Sequence, residues 1–289
     1  MIDYLESFKF IHNLKLNDFT LYWTGLHTII IINSNEPYLD NFIEQFKIFI
    51  NKMDILNIMV LAKNRSTDLI VMEQIQIKMK TYDIYIHINT FRQTDQNMRL
   101  FIHNIIFDWI SLINKSLNLS NNLFGIFLGG EMYIYGKIFD MICNKKLYLT
   151  DTKSILIDAK NNDPSIEITS ERSNDHSSVR AEKSQYEIIN YNISDSIIKI
   201  IKSDQAHFLI ANVSKNGLGK QLTDQINKFK PLYLILINCS IKTAMSDREY
   251  LKSNYDLINH IELISNYTII LSVLKNSESP IDNNQMFLN

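Results

Sequence analysis

The chain has 289 residues, of which 46% are apolar and 21% charged, and its formal net charge is −2. That length allows one large domain or two modest ones with a buried core. The charge excludes a whole-molecule positive field for nucleic acid, so RNA binding would need a local patch. Two cysteines, Cys143 and Cys239, share no metal-type spacing, which argues against a zinc site and fits a reducing compartment.

The start, Met1-Ile2-Asp3-Tyr4-Leu5-Glu6, lacks the basic and then apolar pattern of a signal peptide. The longest apolar runs are too short to cross a bilayer. A soluble, intracellular protein is expected, cytoplasmic by default, with no membrane partner.

The first ninety residues alternate short strands and helices. Residues 19–23 and 28–32, rich in β-branched and aromatic side chains around a short Gly25 turn, read as a hairpin. Apolar positions three and four apart predict a helix over 36–53. Further strands are expected at 55–61, 68–72 and 83–88. No chemical motif stands out here, so a packing or docking module is the reading.

Residues 94–114 form a strong helix signal, with a wide apolar stripe from Met98 to Ile113 and Thr94 as cap. Four short apolar runs follow, at 123–128, 146–150, 207–211 and 232–237, with helical segments between them. That alternation indicates a parallel sheet covered on both faces. Residues 268–274 could close the sheet. Residues 164–185 are polar and read as a disordered insertion.

Three strand ends hold the candidate chemistry. Leu128-Gly129-Gly130-Glu131 joins a strand to a helix, where glycines let backbone N–H groups approach a nucleotide cofactor. Asp151, at the end of the next strand, is placed to accept hydrogen bonds from ribose hydroxyls; a plain surface turn is the competing reading. Asn238-Cys239-Ser240 ends another strand, where a thiol is either a nucleophile or a small buried filler. Asn212 to Leu218 ends a third and by itself is only a loop. Cys143 reads as core on a helix face. His87, His103, His207 and His260 sit in apolar or element-edge contexts that suit structural roles. No metal site is expected.

Taken in order, these pieces resemble the RNA uracil-C5 (5-methyluridine) methyltransferases. Phe91-Arg92-Gln93-Thr94-Asp95 is similar to the family's Phe-x-Gln-x-Asn signature. The Gly125–Glu131 segment follows as its glycine motif, and Asp151 and then Ile157-Asp158-Ala159-Lys160 as its acidic-strand segment. Asn212 to Leu218 resembles its Asp-Pro-Pro-Arg-x-Gly-Leu loop. Asn238-Cys239-Ser240-Ile241-Lys242-Thr243 resembles its Ser-Cys-Asn-Pro-x-Thr motif, with Asp247 and Leu251 where the family has Asp and Leu.

The resemblance implies an α/β fold, a Rossmann-like class I methyltransferase sheet with helices on both faces, preceded by a smaller α+β region. The expected division is 1–90 accessory, 91–275 methyltransferase-like, and 276–289 a flexible tail. It further implies S-adenosylmethionine (SAM) as cofactor, RNA as partner, Cys239 as catalytic nucleophile, and Gln93, Gly129, Asp151 and Asn212 on the cofactor side. In the family the cysteine thiolate adds to C6 of uracil, C5 takes the methyl group, and a base removes the C5 proton.

Three departures mark the motifs as degraded. Glu131 replaces a glycine, where a carboxylate would crowd the cofactor. Asn212-Val213-Ser214-Lys215 replaces Asp-Pro-Pro-Arg, and lysine loses the bidentate fork of arginine. Tyr267-Thr268-Ile269-Ile270-Leu271 lacks the carboxylate of the family's base. They imply an alternative function: a catalytically inactive methyltransferase-fold protein that binds RNA or assembles with a protein partner.

Overall fold

A computed structural model describes residues 18–23, 28–33, 44, 48, 58–62, 70–87, 90, 96–150, 153–163, 167–169, 185–188, 198–199, 201–202, 204–213, 216–264 and 268–279. The chain forms two compact units, residues 1–75 with 83–89, and residues 76–82 with 90–289.

In the first unit, β1 (Asp18–Trp23) pairs antiparallel with β2 (Thr28–Asn33), the hairpin expected from the sequence. β3 (Ile58–Ala62) adds to β2 in parallel. A two-stranded ribbon, β4 (Ile70–Ile77) and β5 (Lys80–His87), has its turn in the second unit. Of the helix expected over 36–53, only Glu44 and Ile48 are described, and both are helical.

The second unit opens with helix α1 (Gln96–Leu117). Its stripe Ile102, Ile106, Ile110 and Ile113 is buried, as the three-and-four spacing requires. The main sheet follows: β6 (Leu123–Gly129), β7 (Cys143–Thr150), β8 (Glu167–Thr169), β9 (Gln185–Ile188), β10 (Phe208–Asn212), β11 (Tyr233–Asn238), β12 (Tyr255–Ile264) and β13 (Thr268–Asn276). Helices α2 (Met132–Ile138), α3 (Lys153–Asn162), α4 (Gly219–Phe229) and α5 (Ile241–Leu251) connect them.

The sheet order is β12-β13-β11-β10-β6-β7-β9-β8. The six strands from β11 to β8 are parallel. β13 runs antiparallel to both β11 and β12. The chain winds outward from β6 in one direction and from β10 in the other, so the order reverses between β6 and β10. In open α/β sheets ligands bind beside such a reversal, at the carboxyl ends of the strands.

The central strands are buried on both faces, which explains their unbroken apolar runs. On one face Phe124, Ile126 and Leu128 of β6 join Leu222 and Ile226 of α4 and Leu251 of α5. On the other, Phe127 packs against Phe139, Tyr148 and Phe208. Each such side chain contributes about 1.5–3 kcal/mol by leaving water.

Some expectations need correcting. Residues 164–185, read as a disordered insertion, carry β8 near one end and the start of β9 at the other. Ile168 and Tyr186 supply the β-favouring residues in these short polar strands. β12 is a strand that the sequence reading did not mark. Cys143 is buried, as expected, but it opens β7 rather than lying on a helix.

Candidate site at the carboxyl ends of the strands

β6 ends at Gly129 with φ +84°, a conformation that glycine adopts freely. The neighbouring strand makes glycine necessary as well. A Cβ on Gly129 would stand 2.3 Å from the carbonyl oxygen of Asn212. That same oxygen accepts a hydrogen bond from the Gly130 N–H at 2.8 Å. Gly129 and Asn212 are register partners, and Asn212 is in turn the partner of Ile237 on β11. Cys239 lies two residues beyond Ile237. Gly129, Asn212 and Cys239 therefore share one edge of the sheet, with β6 and β11 about 10 Å apart, two strand spacings. Gln93, Asp151 and the Ser214-Lys215 part of the loop lie outside the described residues.

Glu131 follows with φ 57° and stands at the start of α2. Its side chain is 2% exposed. The Asn212 side-chain amide donates to its carboxylate, Nδ2 to Oε2, at 3.3 Å. The carboxylate expected to crowd the cofactor is thus drawn into the protein, next to a residue that itself departs from the family pattern. Its charge is felt by Tyr135, whose phenol is raised well above its ordinary pKa, first by burial and then by Glu131 and Tyr133, against the opposing pull of Arg99. Tyr135 meets His103 edge to face at 5.1 Å. His103 is fully buried, and burial followed by the Arg99 charge brings its pKa down to about 3. Among the described residues, neither ring nitrogen of His103 nor the Tyr135 hydroxyl has a hydrogen-bond partner.

Asp247 organises the other half of the edge. It sits in α5, is 1% exposed, and accepts the Leu218 N–H at 3.0 and 3.1 Å on its two oxygens. The Asn238 side-chain amide donates to it at 2.7 Å. Gly217, φ +73°, leaves room for it, since a Cβ there would come within 2.8 Å of both carboxylate oxygens. One carboxylate thus ties the loop after β10 to the end of β11, directly beside Cys239. Burial raises its pKa, and the hydrogen bonds from Leu218, Asn238 and Gly219 oppose that rise.

Cys239 is exposed, between the end of β11 and Ser240, which caps α5 by accepting from Thr243 N–H at 3.2 Å. Its thiol is nevertheless crowded enough that desolvation raises its pKa. A helix start beside a cysteine ordinarily favours the thiolate; here desolvation prevails. Where the family has its base, Ile269, Ile270 and Leu271 are buried apolar residues of β13. Glu262 of β12 is the register partner of Ile270, whose other partner is Asn238. Among the described residues, no three His, Cys, Asp or Glu side chains are placed to hold a metal ion, and no helix is long and apolar enough to cross a membrane.

Solved structures share this architecture. The tRNA (uracil-54, C5)-methyltransferase of Pyrococcus abyssi, in complex with S-adenosyl-L-homocysteine, superposes with a TM-score of 0.60 over 94% of this chain at 13% identity. This chain spans 66% of that enzyme's length. The chain has a Rossmann-like methyltransferase fold. The N-methyltransferase NodS of Bradyrhizobium japonicum WM9, with S-adenosyl-L-homocysteine, matches at TM-score 0.43 and 10% identity, over 61% of this chain and 88% of that one. No protein-family model and no curated protein sequence matches the chain.

Sequence reasoning missed Asp247 as a site residue, although the resemblance had placed it at the family's aspartate.

Proposed function

We propose that the protein binds SAM at the carboxyl edge of β6 and acts on RNA as a uracil-C5 methyltransferase-like protein whose methyl transfer is weakened at Cys239. The inward hydrogen bond between Asn212 and Glu131 carries this reading. The Glu131 carboxylate is buried and engaged by the Asn212 amide, so it does not stand as a free charge facing a cofactor. Gly129 and Gly130 present no side chain there. Gln93 and Asp151 would contribute the remaining polar groups from the two flanking segments. SAM, when bound, supplies the methyl group.

The chain's own residues then divide the work. Asp247 holds the Asn216–Gly219 loop against β11 and fixes the backbone on either side of the reacting edge. Cys239 would add to the pyrimidine ring as a thiolate, and its raised pKa keeps that form scarce near neutral pH. The crowding of Cys239 also favours a second reading of the same fold, a protein that binds RNA or a protein partner without transferring a methyl group.

Calorimetric titration of the full chain with SAM tests the first reading. Saturable binding is expected, and no binding at millimolar SAM overturns it. Nucleoside analysis of RNA incubated with protein and SAM separates the two. Little or no 5-methyluridine is expected, and brisk formation that vanishes in Cys239→Ala would show that the nucleophile is fully competent.

A further inference from the structure

Ile270 stands where the family pattern has its base, and a carboxylate lies one strand away. Ile270 pairs on one side with Asn238 of β11 and on the other with Glu262 of β12. Register partners point to the same face of a sheet, so Asn238, Ile270 and Glu262 form one row across three strands. The row lies at the carboxyl edge. Asn238 is the last residue of β11, Ile270 is near the start of the antiparallel β13, and Glu262 is near the end of β12. Cys239 follows Asn238 directly.

The row faces α5, because the Asn238 amide donates to Asp247 of that helix. Between α5 and β12 runs an open groove of about 510 Å³. Glu262 and Ile270 line it together with Ile241, which is two residues beyond Cys239. Glu262 is exposed, and among the described residues no cation or hydrogen-bond donor engages its carboxylate. The groove's other carboxylate, Glu249, is held by Lys252 of its own helix.

We propose that Glu262 is the general base that removes the C5 proton of the target uracil, in place of the carboxylate that the family pattern sets at position 270. This rests on the reading of the chain as a uracil-C5 methyltransferase-like protein. The Cα atoms of antiparallel register partners are about 4.5–5.5 Å apart. A long side chain reaches its direct neighbour on the same face, and its diagonal one as well. A glutamate on β12 can therefore set its carboxylate over Ile270. After methyl transfer, C6 of the uracil is bonded to the Cys239 sulfur, and C5 carries both the new methyl group and its hydrogen. Glu262 takes that hydrogen as a proton. The C5–H electron pair becomes the C5=C6 double bond, the C6–S bond breaks, and its electron pair leaves on Cys239 as thiolate. His260 is the neighbouring proton acceptor on β12. Its row, with Ser272 and Leu236, lies two residues further from the edge, about 7 Å back.

Single-turnover reactions of the full chain test this, with unmodified RNA transcripts tritiated at C5 of uridine and SAM labelled in its methyl group. However slow the wild-type reaction is, methyl transferred and tritium released to water should be equal. Glu262→Gln should still transfer methyl, but tritium release should fall by about 10²-fold or more. The methyl label should then remain on a protein–RNA adduct seen on a denaturing gel. A merely structural role would lower both steps together. His260→Gln should leave both unchanged. Tritium release at the wild-type rate in Glu262→Gln, or an equal loss of both steps, overturns the assignment of Glu262 alone. No methyl transfer by the wild-type chain overturns the methyltransferase reading and this assignment with it.

Discussion

Lys146, in the amino half of β7, is buried against two carboxylates, Asp140 and Asp163, each at 2.6 Å. Tyr148 donates to Asp163 at 3.2 Å and completes the knot. His207 acts similarly at the start of β10, accepting from the Phe124 N–H at 2.8 Å. Other buried polar groups lack such pairing. Among the described residues His103, Tyr135 and Asn238 each keep a buried polar atom without a hydrogen-bond partner, and so do Asn114, Gln225 and Ser279. Groups that satisfy one another hold the fold together, whereas each buried group left unsatisfied costs about 1–3 kcal/mol.

The sharpest way to test that contrast is to break the satisfied cluster around Lys146. Lys146→Ala leaves Asp163 buried without its cation, and the loss of stability should be about 3–5 kcal/mol by urea denaturation. Asp140→Asn should change little, because the Asp140 side chain is 65% exposed. Equal costs for the two substitutions would show that the knot is not the buried ion pair described. Next in size, Asp247→Ala removes the acceptor of three hydrogen bonds and should cost about 1–3 kcal/mol. Its larger signature should be functional, a loss of SAM or RNA binding out of proportion to that cost, because the Asn216–Gly219 loop is released.

The elements also differ in how readily they are read from sequence. The central parallel strands were legible because burial on both faces makes each an unbroken apolar run, as in Tyr233-Leu234-Ile235-Leu236-Ile237. β12 was not legible, since Asp256, Asn259, His260 and Glu262 interrupt its apolar pattern. Gly129, Asn212 and Cys239 were singled out because strand ends in an α/β sheet are where ligands go, and the sheet register brings them to one edge. Asp247 was hidden because its partners, Leu218 and Asn238, are distant in sequence or belong to another element. His103 was read as structural from its isoleucine-rich stripe, and it is fully buried there.

Burial gives His103 a pH signature. In the folded chain it takes a proton only near pH 3, against about 6.5 when unfolded. Below 6.5 the unfolded chain therefore binds the extra proton, and stability falls as the pH drops from 6.5 towards 3. The slope is about 1.4 kcal/mol per pH unit from this one group. His103→Phe keeps an aromatic ring against Tyr135 and should flatten that part of the urea midpoint profile. An unchanged profile would mean that the imidazole is hydrated or partnered in solution.

The smallest expected effect is the most informative about the cofactor edge. Glu131 and Asn212 are both departures from the family pattern, and the structure joins them by one hydrogen bond. In the pattern that the sequence resembles, position 212 carries an acid and position 131 a glycine; here an amide stands at 212 and an acid at 131. Asn212→Asp alone would set two carboxylates against each other inside the protein and should destabilise it. Glu131→Gly alone leaves the Asn212 amide without its acceptor. The double substitution restores the family's arrangement at both positions. Its stability should exceed the sum of the single effects by about 0.5–3 kcal/mol, the range for residues in direct contact. Additive effects would make the two departures independent losses. Coupling of that size would make them one compensated exchange, and SAM titration of the double variant would then show whether the exchange altered the cofactor's affinity or left it intact.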